Sequence, residues 1–171
     1  GGDLDYRKRC LEGAPVYFAP VGPEAEAAID AHWAKLTAGA APRPDAIPVG
    51  GRTVTAPLAA LGAARFASED LIAEALGAAD YLAIAERYHT VFVDRIPLMG
   101  PENRNEAKRF VTFIDALYER RTDLVATAEA EPEALYVAGT GAFEFERAAS
   151  RLIEMQSAQY RDQPHRTEAG G

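Results

Sequence analysis

The chain has 171 residues, 48% of them apolar, and 26 acidic against 18 basic residues give it a net charge of −8. That length supports one or two compact domains with a sizeable core, and the acidic balance disfavours nucleic acid and anionic lipid as partners unless cations gather on one face. A single cysteine, Cys10, excludes an internal disulfide framework and a cysteine-rich zinc site, and no apolar run reaches the roughly 20 residues of a spanning helix.

The opening GGDLDYRKRC has no hydrophobic signal core and reads as the interior of a longer protein, so a fragment is expected. GAPVYFAP, Gly13 to Pro20, is a short β-prone segment between prolines. Pro23 suits the first turn of a helix, and Ala28, Ile29, Trp33 and Leu36 fall on one face, which predicts a helix to about Leu36. APRPDA reads as a linker, and IPVGGRTVTAP has two β-prone arms around Gly50 and Gly51, a hairpin signal. ARFA is β-prone and leads into SEDLIAEAL, a helix with Ser68 as N-cap.

From Ala78 the pattern changes. Tyr81, Leu82, Ile84, Ala85 and Tyr88 sit at mostly helical spacing, and Thr90 to Val93 reads as a buried strand. Pro101 opens a long helix with Phe110, Phe113, Ile114, Leu117 and Tyr118 as its apolar stripe and Asn103, Glu106 and Asp115 away from it. DLVATAE is a further strand, so the natural solution is two parallel strands joined by a crossover helix. The last element, Gly141 to Tyr160, can bury Phe145, Ala149, Leu152, Ile153 and Met155; its FEFE start alternates like a strand, which places the helix start near Phe145. RDQPHRTEAGG is a polar tail.

Few residues invite chemistry. Thr90 to Asp94 has the grammar of the magnesium-binding strand of a P-loop nucleotidase, but Arg95 stands where a second carboxylate would orient water, so no catalytic role is expected for Asp94. Nothing matches G-x-x-x-x-G-K-[ST]; the nearest glycines, in VGGRT, are better explained by a turn. His32, His89 and His165 have no partner at metal-ligand spacing, and Glu144 and Glu146 read as a solvated face. Cys10 follows Arg7, Lys8 and Arg9, which lower a thiol pKa, yet no base follows it.

The strings LDYR, LEGAPVYF, LGAADYLAIAERYHTVFVD, PENRNEAKRFVTFIDALYERR, PEALY and FEFERAASRLIEMQS together resemble the C-terminal half of the ZapE and lactation-elevated type of AAA+ ATPases, over nearly the whole chain and most weakly at 38–63 and after Tyr160. The resemblance implies an α/β fold, a partial P-loop-NTPase-like layer of parallel strands and crossover helices with a small β-rich insert. It implies an ATP hydrolase using ATP and magnesium in the full-length protein, with phosphate- and magnesium-binding motifs upstream and no cofactor on the isolated segment. On this view HTVFVDRIP is a later strand that echoes the magnesium-binding one.

The chain then divides into 1–37, a strand and helix continuing an upstream ATPase core; 38–67, a β-hairpin insert; 68–160, the α/β C-terminal region; and 161–171, a disordered tail. Arginines that neutralise developing phosphate charge are the remaining candidates for catalysis: Arg151, Arg147 and Arg7, with Arg104 and Arg109 behind them. Arg147 and Arg151 are one helical turn apart, and the structural alternative pairs them with Glu144 or Glu154. Expected partners are the remainder of the ATPase core, further copies of the chain, and cell-division or protease proteins, in a bacterial cytoplasm. The competing expectation is a stand-alone protein–protein interaction domain that never meets nucleotide.

Overall fold

The computed structural model describes residues 14–167, so Arg7 and Cys10 lie outside the described residues. Six strands form one sheet: β1 (Tyr17–Phe18), β2 (Arg43–Val49), β3 (Arg52–Ala60), β4 (Ala63–Ala67), β5 (Thr90–Ile96) and β6 (Asp123–Ala128). Their spatial order is β1-β6-β5-β4-β3-β2; the first four run parallel and β3 and β2 extend the sheet antiparallel. The helices are α1 (Pro23–Leu36), α2 (Ser68–Ile72), α3 (Ala78–Arg87), α4 (Arg104–Arg120), α5 (Ala142–Met155) and α6 (Ala158–Arg161). The expected α/β architecture is present, with α4 crossing between the parallel strands β5 and β6.

Period-two alternation in β5 and β6 assigns the two faces. Val91, Val93, Leu124 and Ala126 enter a large core with α3, α4 and α5, whereas Phe92 and Val125 face Ile29, Trp33 and Leu36 of α1. Because both faces are covered, these strands read as continuous apolar runs rather than alternating ones. Trp33 meets Phe92 edge to face at 5.0 Å. On α4 the predicted stripe is correct: Phe110, Phe113, Ile114 and Leu117 are buried, and Tyr118 lies half-buried at its edge.

Four local expectations are corrected. Residues 43–46 belong to β2 rather than to a linker. Pro44 and Pro48 are tolerated there because β2 is the sheet edge, where outward N–H groups need no partner, and proline blunts edge-to-edge pairing. Ser68 is not an N-cap: Asp70 accepts the Ala67 N–H at 3.0 Å, Ser68 Oγ donates to the Arg95 carbonyl at 2.7 Å, and α2 stops at Ile72. The long helix is preceded by a 3-10 turn at Pro101–Asn103, closed by Asn103 Oδ1 accepting the Gly100 N–H, and α4 itself starts at Arg104.

The fourth correction concerns α5, which starts at Ala142 and buries Phe145, Ala148, Leu152 and Met155. Those positions have the 3,4,3 spacing of one helix stripe, so Ala149 falls to its margin and Ile153 is 52% exposed. The FEFE alternation survives only as the contrast between Phe143, 82% exposed, and buried Phe145.

Candidate functional site

The arginines singled out by sequence meet on the outer surface of α4 and α5. Arg147 Nη2 donates to Asp115 Oδ2 at 2.8 Å, and Arg151 Nη1 donates to Asp115 Oδ1. One carboxylate on α4 therefore holds two guanidiniums that α5 presents one turn apart. Arg151 also lies over the Tyr118 ring, 4.6 Å from its centroid, and the Tyr118 hydroxyl donates to Glu154 Oε2 at 2.8 Å. That bond to Glu154 raises the Tyr118 pKa. The Arg147 side chain is 57% exposed and that of Arg151 30%, so Arg147 is the outward member and Arg151 the anchored one. The carboxylate that both use is Asp115, not Glu144 or Glu154.

The other candidates separate. Arg109 Nη1 donates to the Ile72 carbonyl at 2.9 Å and ties α4 to the end of α2, while Arg104, Glu144 and Glu146 are exposed. Asp94 is gripped by both nitrogens of a fork, Arg65 Nε and Nη2, each at 2.8 Å, and Arg65 reaches Asp30 as well. A carboxylate held this way is occupied as a structural acceptor. His32 packs against Phe18 at 5.6 Å, His89 is buried between Thr90 Oγ1 and the Leu61 carbonyl, and His165 Nε2 lies 2.6 Å from the Ala85 carbonyl. Among the described residues no group of three His, Cys, Asp or Glu side chains can hold a metal ion.

The topology singles out a second place that sequence reasoning missed. Adjacent parallel strands β1 and β6 send their chains to opposite faces, β1 to α1 and β6 towards α5, so the crevice at their carboxyl ends is the switch point at which open α/β sheets bind ligands. A cavity of about 680 Å³ lies there, lined by the loop Ala19 to Gly22, the start of α1 and Glu131. Nucleotide phosphate does not fit these residues. Pro23 at the first helical position supplies no N–H, and Glu24 and Glu26 place negative charge in the first turn. The neighbouring Tyr17 hydroxyl, bonded to the Ala130 carbonyl at 2.7 Å, has its pKa raised by burial and then by Glu131 and Glu133. The loop carries no lysine. No periodicity could have found this crevice, because it exists only once β1 lies beside β6, more than a hundred residues later in the chain.

Among the described residues no helix is long and apolar enough to cross a membrane. Compared with known proteins, residues 1–164 match the family model described as AFG1-like ATPase. The chain is 33% identical over 168 residues to the cell division protein ZapE of Escherichia coli K12, an alignment covering 95% of this chain and 43% of that protein. It is 28% identical over 192 residues to lactation elevated protein 1 homolog B of Danio rerio, covering 92% of this chain and 38% of that one. The chain thus spans less than half the length of these curated relatives. No solved structure matches it at a significant level.

Proposed function

The chain belongs to the AFG1-like ATPase family, a P-loop NTPase family, and on that premise we propose that it is the C-terminal portion of a ZapE-like ATPase whose ATP and magnesium are held by residues upstream of this segment. The observation that carries the reading is the family match over residues 1–164. The unfitness of the switch-point crevice for phosphate supports placing nucleotide elsewhere. Bound ATP and magnesium supply the transferable phosphoryl group; what this chain supplies is positive charge and surface. Asp115 orients Arg147 and Arg151, and Arg147, the more exposed, faces outward to a phosphate presented by the ATPase core or by another copy of the chain. Arg7 is a further candidate for the same task. The isolated segment is inactive, and the full-length protein is a cytoplasmic bacterial oligomer acting with cell-division or protein quality-control partners.

The test is paired, on the full-length protein: steady-state ATPase rate and thermal midpoint of Arg147→Lys and Arg151→Lys. Keeping the charge while losing the planar fork lowers turnover by more than about tenfold with the fold intact if the arginines reach phosphate. A normal rate with a lowered midpoint returns both to a structural role. The isolated segment gives a flat calorimetric titration with ATP and magnesium. A second reading, a stand-alone interaction domain, is favoured by Phe143 and Ile153, 82% and 52% exposed on the same helix. Under it, neither substitution changes the ATPase rate of the full-length protein.

A further inference from the structure

A groove of about 310 Å³ separates the first half of α4 from the start of α5, lined among others by Arg104, Ala107, Lys108, Val111, Phe145 and Arg147. Its floor is apolar: Ala107 and Phe145 are buried, Val111 is half-buried, and the Phe145 ring lies 5.3 Å from that of Tyr136. The rims are cationic, with Arg104 and Lys108 one turn apart on α4 and Arg147 opposite on α5; Glu144 is the one carboxylate in the lining.

Two features set this apart from ordinary surface charge. Carboxylates outnumber cations in the chain, 26 to 18, and Arg52, Arg65, Arg87, Arg95, Arg120, Arg147 and Arg151 each have a carboxylate partner. Arg104 and Lys108, like Arg43, Arg109, Arg121 and Arg166, have no carboxylate partner among the described residues, and unlike those four they line this groove together. In addition, α5 starts at the groove with Gly141 as its N-cap, at φ 99° and without a side-chain cap, so the positive end of a helix is added there, offset in part by Glu144 in its first turn. A Cβ at Gly141 would stand 2.5 Å from the Tyr136 hydroxyl oxygen, so glycine keeps this backbone open.

We propose that this groove docks an acidic peptide segment of a partner protein, seating an apolar side chain on Ala107, Val111 and Phe145 while Arg104 and Lys108 take its carboxylates. Charge complementarity selects an anionic occupant. The apolar floor selects a peptide, because a small phosphate makes no use of it. The inference does not rest on the nucleotide reading: that reading is carried by Arg147 and Arg151, whereas here Arg104 and Lys108 take the carboxylates and Arg147 only borders the groove.

The experiment uses the 171-residue chain and a fluorescent peptide of about a dozen residues alternating glutamate and leucine, with the lysine-for-glutamate peptide and inorganic phosphate as comparisons. Saturable binding of the acidic peptide that weakens with salt is expected, with shifts of the Val111 and Phe145 amide resonances and none from the lysine peptide. The Arg104→Glu/Lys108→Glu variant weakens binding by about tenfold or more at an unchanged thermal midpoint; the milder Arg104→Ala/Lys108→Ala variant weakens it in the same direction. No saturable binding, undiminished binding by the charge-reversed variant, or phosphate moving those amides where the peptide does not, each overturns the proposal.

Discussion

Arg151 and Asp115 are 36 residues apart in the chain, yet a hydrogen bond joins them across α4 and α5, and Arg147 shares the same carboxylate. Both pairs are partly open to water, so screening limits their worth. In urea unfolding of Asp115→Ala, Arg147→Ala and the double variant, the Asp115–Arg147 coupling stays below about 1 kcal/mol. Coupling to Arg151 is the larger of the two because Tyr118 stacks on that guanidinium. A coupling of several kcal/mol to Arg147 would show that the surface there is far drier than its exposure indicates.

Ile114 is fully buried between α4 and the sheet, whereas Glu106 stands at the side of the same helix. Ile114→Ala costs about 2–5 kcal/mol through lost burial and a residual cavity, and Glu106→Ala stays within about 0.5 kcal/mol. Denaturant midpoints separate the two, and equal midpoints would refute the helix phase.

The β3–β4 hairpin turns on Leu61 at φ 48° and Gly62 at φ 81°, a primed two-residue turn. A Cβ at Gly62 would fall 2.7 Å from His89 Cδ2, and the His89 N–H already donates to the Gly62 carbonyl. Gly62→Ala therefore destabilises by about 1–3 kcal/mol. Gly51→Ala, with open space around it, is the control and stays within about 0.5 kcal/mol. Thermal melts of the pair decide, and matching midpoints would mean that the turn relaxes freely.

Burial pushes the Tyr81 hydroxyl from 10.0 up to about 12, and that hydroxyl donates to the Leu71 carbonyl at 2.7 Å. A pKa raised in the folded state gives stability that is complete below the unfolded value of 10.0 and is lost as pH climbs towards about 12. Tyr81→Phe accordingly costs about 1 kcal/mol at neutral pH and flattens the alkaline decline that remains. Tyr17 and Tyr88, also shifted upward by burial, retain theirs. Urea midpoints followed from neutral pH to about pH 11 test this, and an unchanged slope would count against it.

Helix phase and strand identity were legible in the sequence because both are local. The Phe110, Phe113, Ile114 and Leu117 stripe, the all-buried DLVATA of β6 and the glycine turn before β3 follow from spacing and backbone preference within a few residues. Where the local signal was mixed, the tertiary structure decided. Residues 43–46 became strand only because β3 offered a ladder and the sheet edge forgave Pro44. Phe143 went outward and Phe145 inward because α5 rests on α4. For the candidate site the sequence supplied Arg147 and Arg151 and their shared face but not their partner: Asp115 lies 32 and 36 residues away, on a helix whose outward side periodicity marks as polar without saying what covers it. The crevice beside β1 and the groove between α4 and α5 were invisible for the same reason, since each is a space between elements, and spacing along one element carries no information about the next.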